Sequence, residues 1–189
     1  MNKFKTLGLA IAVSAASTAL HASDFSYNYI DLGFGITDDE NSSSNGEYRT
    51  FAGSFVTPMG PFIAFESTSY EEEGQYNVDL TAVGVGAFTA TGSQTDIFGT
   101  LQLVNADLGT SGDESGFRVS IGARTALGSH VELDGKVKYE DVYEDSDTSI
   151  AIALRYYATP GLAASLNYDT AEINGLEIDS MYAAIRFAF

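Results

Sequence analysis

Tyr29-Ile30-Asp31-Leu32-Gly33-Phe34-Gly35-Ile36 alternates without interruption: Ile30, Leu32, Phe34 and Ile36 share one side, Tyr29, Asp31, Gly33 and Gly35 the other. Side chains of an extended chain point alternately to opposite faces, so this stretch reads as a strand with one apolar face. The rhythm returns in Phe51/Gly53/Phe55, Ile63/Phe65, Tyr76/Val78/Leu80/Ala82, Ile97/Gly99/Leu101/Leu103 and Phe117/Val119/Ile121/Ala123. It continues through Val131/Leu133/Gly135/Val137/Tyr139, Ile150/Ile152/Leu154/Tyr156, Leu162/Ala164/Leu166/Tyr168 and Met181/Ala183/Ile185/Phe187/Phe189. Segments of roughly ten alternating residues between turn signals are the mark of a transmembrane barrel. The expected fold is therefore all-β, an up-and-down antiparallel transmembrane β-barrel of ten strands. Eight strands is the alternative, if residues 62–70 and the neighbouring segment belong to loops.

The connectors alternate in kind. Pro58-Met59-Gly60-Pro61, Thr91-Gly92-Ser93, Leu127-Gly128-Ser129-His130 and Thr159-Pro160-Gly161 are tight turns without an acid. Between them lie acidic stretches: Asp38-Asp39-Glu40 with residues 41–46, Glu71-Glu72-Glu73, and residues 109–116, 141–148 and 172–177. Barrels of this class place short turns in the periplasm and longer loops outside, and an even strand number then puts both termini in the periplasm. Aromatics of the apolar phase form two belts: Phe34, Tyr76, Phe117, Tyr139 and Tyr168 near the loops, Phe55, Phe88, Tyr156 and Phe189 near the turns. Two membrane interfaces account for two belts.

Charge follows the same alternation. Beyond residue 22 there are seven basic residues, and six of them, Arg118, Arg124, Lys136, Lys138, Arg155 and Arg186, occupy the phase opposite the apolar one. Asp31, Glu66, Asp79, Glu132 and Asp134 are acids of that phase. A charge at mid-depth on a lipid face costs about 2–4 kcal/mol, so these residues are expected to point inward as a lumenal charge network. A soluble antiparallel sandwich would alternate too, but its polar phase would face water, and it would need neither belts nor charge-free turns.

Lys3 and Lys5 precede an apolar, small-residue run over residues 7–20 that closes in Leu20-His21-Ala22, the three-part layout of a secretory signal. The expectation is a signal peptide over residues 1–22, cleaved to leave residues 23–189 as one outer-membrane β-barrel. No later apolar run approaches the roughly 18 residues of a helical span. The chain has no cysteine, which excludes a lipid-anchored N-terminal Cys, disulfides and thiolate metal sites. Its formal charge of −17, or −19 without Lys3 and Lys5, repels nucleic acid and attracts cations.

Ser26-Tyr27-Asn28-Tyr29-Ile30-Asp31-Leu32-Gly33 resembles the opening of a subfamily of small outer-membrane barrels in the OmpA/OmpX-like superfamily. Its mature chains begin Ser-Tyr-Asn-Tyr, an aliphatic, an acid and a nearby glycine. Ile185, Phe187 and Phe189 resemble the C-terminal signal read by the outer-membrane insertion machinery, with Ala184 where glycine is frequent. The likeness covers the layout of residues 23–189 and, in letters, only those two ends. It implies the barrel fold, contact with outer-membrane lipid and lipopolysaccharide, and a role in envelope stability, adhesion or narrow conduction. No peptidoglycan-anchoring domain is expected after the barrel.

Catalytic chemistry finds little footing. His21 leaves with the signal and His130 sits in a turn, so the loop side lacks the usual general base for activating serine or water. The expectation is no enzyme and no cofactor. The acidic connectors supply oxygen atoms of the kind Ca2+ and Mg2+ prefer, but none has the spacing of a calcium-hand loop. They read as a solvated acidic face, with diffuse Ca2+ or Mg2+ binding as the alternative. A narrow barrel is usually filled by side chains, and Tyr29, Tyr157 and Tyr182 share the inward phase, which favours a plugged lumen over an open one. The functional expectation is a non-enzymatic outer-membrane protein contributing to envelope integrity or surface interaction through acidic extracellular loops. The alternative is a narrow, cation-preferring porin.

Overall fold

Each alternating segment forms a strand, and each strand finds its sequence neighbour. The computed structural model describes residues 25–39, 46–72, 76–109, 112–142, 146–173 and 176–189. The expected signal, residues 1–22, lies outside these, as do Glu40, Glu73, Glu144 and Asp145 of the acidic connectors. The strands are β1 (Tyr29–Asp39), β2 (Gly46–Val56), β3 (Phe62–Glu72), β4 (Tyr76–Ala90), β5 (Thr95–Asp107), β6 (Asp113–Ala126), β7 (Val131–Asp141), β8 (Asp147–Thr159), β9 (Leu162–Ile173) and β10 (Leu176–Ala188). All ten close into one barrel, with β10 returning to β1 in antiparallel register, Ile30 against Phe187 and Leu32 against Ile185. Closure leaves no strand edge unpaired, the condition for crossing a bilayer with strands.

Four connections are the tight turns read from the sequence. In the β2–β3 turn the Thr57 amide donates to the Pro61 carbonyl at 2.7 Å, and the Gly60 amide donates to the Thr57 carbonyl at 3.0 Å. Gly60 has φ of 101°, a left-handed conformation that glycine adopts without a Cβ clash. The acidic connectors are shorter than read. Asp38, Glu71, Glu72, Asp113, Glu114, Asp141, Asp147, Glu172 and Glu177 lie on strand ends rather than in loops.

The outer face is apolar over most of its height, with Leu103 and Leu166 about 70% exposed (71% and 70%), and belts at both ends. Nine of the ten strands present the face their pattern predicts. β4 is the exception, and it corrects three expectations. Val78, Leu80 and Ala82 are buried inside the barrel, while Asp79 is exposed on the outer surface and takes no part in the lumenal network. Phe88 also faces inward, not into the turn-end belt. The cause is that β4 is apolar on both faces. Val83 and Val85 pair with Leu103 and Leu101 of β5, whose apolar phase is unambiguous, so the lipid face passes through Val83 and Val85. Thr81 and Asp79 then continue that face toward the loop end beside Asn105 and Asp107.

Candidate functional site

Among the described residues polar chemistry out of water is concentrated in the lumen, which has three storeys. The middle storey is ionic. Asp31 and Arg186 are direct cross-strand partners, and the guanidinium donates to both carboxylate oxygens at 2.7 and 2.6 Å. The same guanidinium lies 3.5 Å over the Tyr29 ring. Arg118 pairs across β6–β7 with Glu140 at 2.5 Å and reaches over the lumen to Glu66 on β3 at 2.7 Å. Lys136 stands 3.9 Å from the other Glu66 oxygen, and Lys138 binds Asp169 of β9.

Nearer the turns, Glu132 is the hub. Its carboxylate accepts two bonds from Arg124 at 3.1 and 2.9 Å, one from the Tyr157 hydroxyl at 2.9 Å, and another from Arg155, its direct cross-strand partner. Asp134 lies 3.8 Å from the Arg124 Nε. Opposite charges directly across a ladder stabilise it, and bidentate Arg–carboxylate pairs are the strong members of that set. The structure thus joins ten of the eleven residues singled out for the lumen and leaves out Asp79. Glu140, which shares the face of Lys136 and Lys138 in the sequence pattern, joins them, and the structure adds Asp169, of the same inward phase, and buried Asp96, which sits opposite Arg124 in the β5–β6 register. The seventh basic residue, Arg49, faces outward and pairs with Glu47 at 2.5 Å.

The loop-end storey is apolar and was not foreseen. Tyr48, Tyr70, Val78, Leu80, Val104 and Ile178 form a buried cluster, with Tyr182 stacked on Tyr48 at 4.4 Å. Gly33 and Gly35 on β1 make room for Tyr182: a Cβ on Gly35 would stand 2.4 Å from that side chain's Cβ. The signal for the cluster was the second apolar face of β4. At the turn end, residues 25–28 fold into the barrel mouth, and Tyr27 is 4% exposed.

Among the described residues no group of three or more His, Cys, Asp or Glu side chains is placed to hold a metal ion. The His130 ring meets its neighbour Ser129, at 2.7 Å, and the Tyr156 ring on the exposed turn. Ile185, Phe187 and Phe189 all point to the lipid side, 48% to 65% exposed.

A closed ten-stranded barrel with an apolar belt outside and paired charges inside is a transmembrane β-barrel. Its sequence matches the outer membrane protein beta-barrel domain over residues 6–157, and the chain belongs to that family of the outer membrane. No curated protein sequence matches it. Among solved structures, the NanC porin aligns over 85% of this chain and 100% of its own, at 14% identity and a TM-score of 0.57. The COG4313 outer membrane channel from Pseudomonas putida F1 aligns over 86% and 94%, at 8% identity and a TM-score of 0.50. At such identities the likeness is one of fold.

Proposed function

We propose that this protein is a non-enzymatic outer-membrane barrel with a plugged lumen, which supports envelope integrity or surface interaction through the acidic residues at its loop end. The observation that carries the reading is the way the interior is spent. Six cations and their acids tie β1, β3, β6, β7, β8, β9 and β10 together across the lumen, and an apolar cluster covers them on the loop side. Side chains committed to each other leave little room for a permeant ion.

The acidic face at the loop end lies outside that network. Asp79 and Asp107, Asp107 and Asp113, Glu47 and Glu71, Glu172 and Glu177, and Asp38 and Asp179 are directly opposed in the ladder. Like charges so placed destabilise a sheet. Ca2+ or Mg2+ held diffusely there offsets the repulsion and links the barrel to lipopolysaccharide phosphates. In this orientation the loop end faces outward, both chain ends lie in the periplasm, and Ile185, Phe187 and Phe189 are available to the insertion machinery. Thermal unfolding in lipopolysaccharide-containing vesicles, followed by the loss of the compact band on unheated SDS gels, tests the role. The midpoint should rise with millimolar Mg2+ and fall with chelator; no response would remove the acidic face from the function.

The second reading is a narrow channel, and the cavity in the ionic storey is what favours it. Its volume is about 130 Å3, and Asp31, Glu66 and Asp134 line it together with Lys136 and three arginines. Planar-bilayer recording separates the two: silence supports the plug, cation-selective steps the channel.

A further inference from the structure

We propose that residues 25–28 are a displaceable strap that closes the turn end of the lumen. The strap does not continue β1 along the wall. Tyr27 turns into the barrel and stacks on Phe88 at 4.0 Å with the rings 8° from parallel, and on Phe62 at 5.2 Å. Arg124 lies over it as well, 4.8 Å from the Tyr27 ring centre and 5.0 Å from that of Phe25, and donates to the Ser26 carbonyl at 3.1 Å. Gly86 leaves the space Phe62 occupies: a Cβ there would lie 2.2 Å from that ring. The slot for Tyr27 is thus assembled from β3, β4 and β6.

The strap also separates two spaces. Tyr27 lines the 130 Å3 cavity of the ionic storey, whereas Phe25 and Ser26 line a wider space of about 620 Å3 at the turn end, floored by Glu132 and Tyr157. Swinging Tyr27 out joins the two and opens the charged interior to the turn-end solvent. The tether for such a swing is short and well fixed. Asn28 accepts the Phe189 amide on its carbonyl at 3.0 Å and the Val56 amide on its side-chain oxygen at 2.7 Å, so β1, β2 and β10 stay tied below the pivot. Above it the strap is held by the Tyr27 stack, the Arg124 contact, a bond from the Ser54 hydroxyl to the Tyr27 carbonyl and a longer one, 3.4 Å, from the Ser26 hydroxyl to the Phe189 carbonyl. The Ser-Tyr-Asn-Tyr opening therefore divides its labour: Asn28 anchors the closure, Tyr27 plugs, and Tyr29 supports Arg186.

Because the chain has no cysteine, a single introduced thiol reports access cleanly. Ala153→Cys places one on the wall of the inner cavity. The full chain, purified from outer membranes and checked for its compact band on unheated gels, is treated with a charged, membrane-impermeant methanethiosulfonate. Labelling should be slow with the strap intact, at least tenfold faster with Tyr27→Ala, and slow again with Tyr27→Phe, which keeps the stacked ring. Where Tyr27→Ala fails to give the compact band, Phe88→Ala removes the ring beneath it and is read in the same way. Fast labelling with Tyr27 in place, or an unchanged rate in a folded Tyr27→Ala or Phe88→Ala chain, overturns the proposal.

Discussion

Replacing Glu132 by alanine is the sharpest test of the idea that the lumen is held by its charges. The carboxylate is 1% exposed and is the shared acceptor of Arg124, Arg155 and Tyr157. Its removal strands two guanidinium groups, themselves 2% and 3% exposed, in a space that water does not reach freely. Breaking a buried ion pair from one side costs about 3–5 kcal/mol, since the remaining charge stays buried without compensation. Here Arg124 keeps a weaker partner, Asp134 at 3.8 Å, and its place over the rings of Phe25 and Tyr27. The lower half of that range, about 3–4 kcal/mol, is therefore expected for Glu132→Ala. With a urea dependence of about 1–3 kcal/mol per molar, the unfolding midpoint should fall by about 1 M or more.

The assay is urea unfolding in lipid vesicles, read by tyrosine emission, as the chain has no tryptophan, and by the compact band on unheated gels. Glu132→Gln retains an acceptor for the Tyr157 hydroxyl and should fall between wild type and alanine. Glu47→Ala is the control: it breaks a pair of comparable length whose side chains are 57% and 67% exposed, and because it also relieves the Glu71 facing it, the midpoint should stay put or rise slightly rather than fall. If Glu132→Ala shifts the midpoint no further than Glu47→Ala, the ion pairs fill the lumen without holding it, and the energetic argument for a plug fails.

The wall and the acidic rim make further predictions. A Cβ on Gly84 would stand 2.0 Å from the Leu101 carbonyl oxygen, so Gly84→Ala should destabilise by about 1–3 kcal/mol, whereas Gly135→Ala, with nothing within 4 Å, should be neutral or slightly stabilising in the same urea titration. Ile152→Arg on the lipid face of β8 should lower stability by about 2–4 kcal/mol if that residue lies at mid-depth, less if nearer an interface, as refolding yield into bilayers of different thickness will show. Asp107 faces both Asp79 and Asp113, and Asp107→Asn should stabilise by about 0.2–1 kcal/mol at low salt. That gain should vanish in millimolar Mg2+, because the ion already relieves the repulsion in the unaltered chain; a gain that persists in Mg2+ would argue against cations at the rim.

Where one face of a strand was apolar and the other was not, the sequence could be read without ambiguity. Through their middles, β1, β7 and β8 carry their charges in one phase and their branched aliphatics in the other, and lipid outside forces the assignment. β4 could not be read that way. Val78 and Leu80 on one face and Val83 and Val85 on the other give equal claims to the lipid, and only pairing with Leu101 and Leu103 decides between them. Asp79 was misplaced for the same reason: choosing Val78 and Leu80 as the outer face forces the aspartate inward. The flanks of the acidic stretches read as loops because acids are generally depleted from strands. Beyond the bilayer a barrel strand faces water, and Asp107 and Asp113 can close the β5–β6 ladder there.

The same limit explains why the lumen could be named residue by residue while its architecture could not. Phase tells which side a charge takes, not how far across the barrel it reaches. Asp31 with Arg186 and Glu132 with Arg155 are ladder neighbours, recoverable once strand order and register are known. Arg118 with Glu66 spans from β6 to β3, and Lys138 with Asp169 skips a strand, contacts that exist only because closure brings distant walls together. The cross-lumen pairs resist flattening of the barrel, a deformation the ladder bonds alone resist weakly. They also have a geometric consequence. Pairs that span the middle keep the walls close, and walls held that close let a single ring, Tyr27, fill the remaining opening at the turn end. Charge pairing across the lumen and closure by the strap are thus one design: loosening the first widens the slot that the second must fill.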